Sequence, residues 1–104
     1  MLKKAVVIGD KETVIAFRMV GVKGYEVRNS EEMLSTLKKL IREAHDEIGV
    51  ILLSEDFIEP IKDEVGKIQL SVSGRIVISR LPGRTPQASR LNVQDLLKKA
   101  LGVG

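Results

Sequence analysis

Four short runs of apolar residues punctuate this chain, and between them apolar positions recur at helical spacing. Residues 5–8 (Ala-Val-Val-Ile) and 50–53 (Val-Ile-Leu-Leu) are apolar throughout, as strands covered on both faces of a sheet must be. Residues 25–28 alternate and predict a less buried second strand at a sheet edge, while residues 75–79, with Ile76, Val77 and Ile78, predict a fourth.

The helices fall between these runs. A short one follows the Gly9-Asp10 turn, with Asp10 or Thr13 as its cap, Val14, Phe17 and Val20 or Gly21 facing inward, and glycine ending it. The clearest follows Asn29 or Ser30, with Glu31 and Glu32 in the first turn, where the helix dipole favours acids. Its residues Met33, Leu34, Leu37, Leu40, Ile41 and Ala44 keep three-four spacing. After the third strand, Ser54 is a cap for a short turn through Phe57. Pro60 suits the first turn of a helix over 60–65 with Ile61 and Val65 inward. The order β-α-β-α-β-α-β predicts a small Rossmann-like, receiver-like α/β domain of three layers, with a four-stranded parallel sheet, right-handed crossovers and helices on both faces.

The pattern changes after residue 80, dividing the chain into a domain over 1–80 and a C-terminal segment over 81–104. Two prolines and a glycine mark residues 81–87 as a connector rather than a regular element. Asn92 then caps a short helix whose Val93, Leu96, Leu97, Ala100 and Leu101 form one apolar stripe. Fewer than ~12 residues make a marginal helix in water, so the stripe needs a surface, either its own domain or another chain. The connector and the charge favour an arm that reaches a partner. Residues 80–104 hold five bases and one acid, against twelve bases and thirteen acids before them, so the overall +3 belongs to the arm.

Composition narrows the chemistry. One hundred and four residues make one domain, and 43% hydrophobic with 30% charged residues is a globular balance. No run approaches the ~20 apolar residues of a membrane span, and the first residues lack a leader's apolar region, so a cytoplasmic location is expected. Without cysteine there is no disulfide or thiolate chemistry, and the single His45, at a helix end, reads as a dipole partner. No phosphate loop or dinucleotide fingerprint follows a strand, so no cofactor or catalytic residue is expected. Gly9-Asp10 could hold magnesium as in a phospho-receiver, but Ser54 stands where a receiver needs its aspartate. That leaves a receiver-like or nucleotide-binding switch as the alternative reading. Glu55 and Asp56 are acids at the start of a helical turn. No aromatic interleaves the arm's arginines, which argues against nucleic acid.

Gly9-Asp10, Thr13-Val14, Phe17-Arg18 and Gly21-Val22, in that spacing, closely resemble the start of the F subunit of the archaeal and vacuolar-type rotary ATPases. Ala16 and Val20 depart from the family's usual glycine and alanine, which alters helix packing and removes no reactive group. Residues 49–55 are similar to the family's third strand and turn, and residues 75–82 to its last strand, although Gly74 replaces a common proline. The resemblance implies a non-catalytic rotor subunit of the central stalk. It would be peripheral to the cell membrane, seated on the coiled-coil D subunit, with its arm able to reach the A and B subunits and alter ATPase activity. On that picture Pro82, Gly83 and Pro86 would be the hinge. Val93, Leu96, Leu97 and Leu101 would be the docking stripe, and Arg84, Arg90, Lys98 and Lys99 would meet acidic partner surfaces. Asp10 would be a cap and Arg18 a surface contact.

Overall fold

Parallel strands cannot be joined by tight turns, so each apolar run must be followed by a crossover long enough to return the chain to the start of the next. The computed structural model describes residues 3–44 and 46–82, and shows three such crossovers. The elements are β1 (Lys4–Gly9), α1 (Lys11–Arg18), β2 (Lys23–Glu26), α2 (Ser30–Glu43), β3 (Ile48–Ser54), 3-10 turns at Glu55–Phe57 and Glu59–Ile61, α3 (Lys62–Ser71) and β4 (Val77–Leu81). The sheet runs β2-β1-β3-β4 with every neighbouring pair parallel. The two wholly apolar runs thus occupy the centre, and the alternating run an edge.

Alternation along the strands divides the core. Val6, Ile8, Ile51, Leu53 and Ile78 join Met33 and Leu37 of α2 and Val65 of α3 in a cluster of sixteen buried residues. The opposite strand faces, Val7, Val50, Leu52 and Leu81, meet Phe17 of α1 in a cluster of five. Handedness explains the division, because a right-handed crossover leftward from β1 to β2 and those rightward to β3 and β4 must lie on opposite faces. Among the described residues, α1 is the one helix on its face.

The helix ends follow their sequence signals. Asp10 Oδ1 accepts from Thr13 N at 3.2 Å, and Asn29 Oδ1 from Glu32 N at 2.9 Å. The Glu32 carboxylate accepts in turn from Arg28 N at 2.8 Å, so two otherwise unpaired donors are satisfied reciprocally. The last turn of α1 closes through Gly21 N to Arg18 O and Val22 N to Phe17 O. Gly21 at φ +86° makes that closure possible.

Several boundaries differ from the expectations. Strand β2 spans Lys23–Glu26 rather than 25–28, because Glu26 pairs with Gly9, the last residue of β1, and Arg28 N is held by the cap of α2. Pro60 lies in the second 3-10 turn, and α3 begins at Lys62 and runs to Ser71. Ile68 and Val72 continue the spacing of Ile61 and Val65, and packing that stripe outweighs the glycine at position 66. Strand β4 starts at Val77 because Arg75 N and Ile76 N both donate to Val72 O, completing the turn after α3. Val20, expected inward, is 39% exposed.

Candidate interaction surfaces and a closed crevice

Open α/β sheets usually bind ligands where successive crossovers leave neighbouring strands toward opposite faces, here between the upper ends of β1 and β3. Gly9, Asp10, Thr13 and Ser54 meet at that point. Asp10 caps α1. A Cβ added to Gly9 would lie 3.0 Å from Ser54 Cβ and 3.3 Å from Thr13 Cγ2, so the strand end, the cap and β3 are in contact. Ser54 is buried, and among the described residues no buried side-chain polar atom lacks a hydrogen-bond partner. Asp10 is engaged in the helix cap, and Gly9 packs closely against Ser54 and Thr13. Ser54 occupies the cap position of the turn Glu55–Phe57, but its side chain makes no capping hydrogen bond.

An open groove of about 420 Å³ lies beside the start of α2, lined by Glu26, Val27, Asn29, Glu31, Glu32, Ser35 and Thr36. Glu32 is engaged in the cap, and Glu31 stands in the first helical turn, so helix termination accounts for this acidity. Among the described residues no group of three histidine, cysteine, aspartate or glutamate side chains could hold a metal, and no helix is long and apolar enough to cross a membrane.

The surface anomaly is apolar. Helix α2 presents Glu31, Ser35, Lys38, Lys39 and Arg42 to solvent, as an amphipathic helix should. Helix α1 presents Lys11, Glu12 and Arg18 to solvent, but Ile15 stands exposed among them, and Met19 and Val20 follow in the turn that ends the helix. Ala16 is half-buried against the inner cluster. Met19 is 81% exposed and Ile15 45%. The open half of the same sheet face also exposes Val77, at the start of β4.

The candidate site residues of the arm fall elsewhere. Pro82 is exposed immediately after β4. Gly83, Arg84, Pro86, Arg90, Val93, Leu96, Leu97, Lys98, Lys99 and Leu101 lie outside the described residues, as does His45. Arg18 is exposed at the end of α1. Ile15 and Met19 are not among the residues singled out from sequence, because an inward stripe alone is enough to predict α1. The signal was there in the unbroken run Val14 to Phe17, followed after one arginine by Met19 and Val20.

Comparison with known proteins decides the family. The pattern defining the ATP synthase (F/14-kDa) subunit family matches residues 5–99. The chain belongs to that family. F subunits from several organisms resemble it across nearly its whole length. That of the A-type ATP synthase of Methanocaldococcus jannaschii is 34% identical over 102 residues, covering 96% of both chains. The corresponding A-type protein of Methanothermobacter thermautotrophicus is 30% identical, covering 99% of this chain and 96% of that one. The F subunit of the V-type ATP synthase of Clostridium botulinum is 27% identical, covering 99% and 97%. Gly9-Asp10 and Thr13-Val14 form a strand end and a helix cap in this chain.

Proposed function

We propose that this chain is the non-catalytic F subunit of the central stalk of an A-type or V-type ATP synthase. It turns with the shaft, seated on the coiled-coil D subunit, and helps couple ATP synthesis or hydrolysis in the A and B subunits to proton or sodium transport. The full-length match to F subunits carries this reading. The capping role of Asp10 agrees with a mechanical part for the first turn, since the cap accounts for that carboxylate. As a stalk component the protein would sit peripherally at the cytoplasmic side of the membrane.

The arm is the regulatory element in this proposal. Pro82, Gly83 and Pro86 form its hinge, and Val93, Leu96, Leu97 and Leu101 its docking stripe. Arg84, Arg90, Lys98 and Lys99 meet acidic surfaces on the A and B subunits. The half-open sheet face beside Val77 favours a second position for the stripe, on its own domain. Reconstitution tests the proposal. Adding the full chain to a complex of the A, B and D subunits is expected to change the ATPase rate, and the chain alone to hydrolyse nothing. ATP turnover by the isolated chain, or no effect of its addition, would contradict it.

A further inference from the structure

We infer that the exposed patch at the C-terminal end of α1, formed by Ile15, Met19 and Val20 with a basic flank, is where the domain receives a helix of its coiled-coil partner. The inference deepens the central-stalk reading and rests on it, since it names the face that meets the shaft. Adjacent exposed apolar side chains mark a surface that another element or chain covers. Phe17 and Val14 account for the inner side of α1, and no described element covers Met19 or Ile15.

Relief and charge select the occupant. Ile15 and Met19 are an i, i+4 pair that forms a short ridge, with Val20 beside its end, and such a ridge fits the groove of a second helix. Lys11 and Arg18 flank the ridge on the side of β2, where Lys23 is also exposed and sits 5.4 Å from the centre of the Tyr25 ring. Glu12 stands at the head of the ridge. Three occupants compete for this face. A second copy in a twofold contact would bring two identical basic flanks together. The chain's own segment 81–104 carries four bases and one acid and meets the same repulsion. A partner helix with an apolar seam and acidic neighbours meets none. The patch holds only three exposed apolar side chains, so it would be the apolar centre of a larger contact.

Two measurements on the full chain test this. Titration with the coiled-coil D subunit is expected to show Ile15→Glu/Met19→Glu binding at least about tenfold more weakly than the unaltered chain, with the melting curve unchanged. If the unaltered chain binds this partner and the variant binds equally well, the inference is overturned and the stalk reading stands. If the unaltered chain does not bind, both fall. The absence of native cysteine makes site-specific cross-linking clean. Met19→Cys carrying a photoactivatable maleimide should cross-link to an apolar, acid-flanked helix of the coiled coil. Leu70→Cys, 80% exposed on α3, should not. Cross-linking from position 70 and none from position 19 would overturn the inference.

Discussion

The two faces of the sheet are built from the same four strands and finished differently. Among the described residues, one is closed by α2 and α3 and holds sixteen buried residues. The other holds five beneath α1, a helix of eight residues at whose end Ile15, Met19 and Val20 are exposed. The first holds most of the buried apolar side chains described. The second, on the proposal above, is where an assembly would find purchase.

Substitutions can break or sharpen this contrast. The largest effect is expected from Phe17→Ala, which removes the one large side chain joining α1 to the sheet and should cost about 3–5 kcal/mol. Leu53→Ala in the sixteen-residue cluster should cost about 2–5 kcal/mol. A loss at Phe17 far below that at Leu53, by urea denaturation, would mean that α1 is held by something other than its inner face. Gly24→Ala should cost about 1–3 kcal/mol, because the new Cβ would lie 2.6 Å from Val14 Cγ1 and push α1 off β2.

Caps come next. Asp10→Ala and Asn29→Ala should each cost about 1 kcal/mol, and melting should respond to neither magnesium nor nucleotide in the unaltered chain. A magnesium-dependent rise in melting temperature lost in Asp10→Ala would reopen the switch reading. The smallest effect belongs to the exposed ridge. Met19→Ala should alter stability by less than about 0.5 kcal/mol while weakening association with the coiled-coil partner. Deleting residues 84–104 should leave a cooperative melt, since all four strands precede the cut.

Burial and local chemistry explain which parts are legible in the sequence. Residues 5–8 and 50–53 announce central strands because only positions covered on both sides can be apolar throughout. Asn29 with Glu31 and Glu32 announces the start of α2 because unpaired amides and the helix dipole select those residue types. The ends of β2 and β4 differ from the sequence expectation because they depend on hydrogen bonds from other segments. Gly9 O takes the amide of Val27, and Val72 O takes those of Arg75 and Ile76. Helix α3 is longer than its sequence suggests because its stripe gains its energy from the sheet, and Gly66 obscures it in the letters. Ile15 and Met19 are visible in the letters but have no meaning until Phe17 fixes which side is inside.

The central claim, a non-catalytic subunit seated on a coiled-coil shaft, is tested most directly by mixing purified full chain with the coiled-coil D subunit. The mass of the complex is then measured by light scattering during size-exclusion chromatography. The account predicts one stable species containing one copy of each. Separate elution of the two chains at concentrations where both are folded would contradict it.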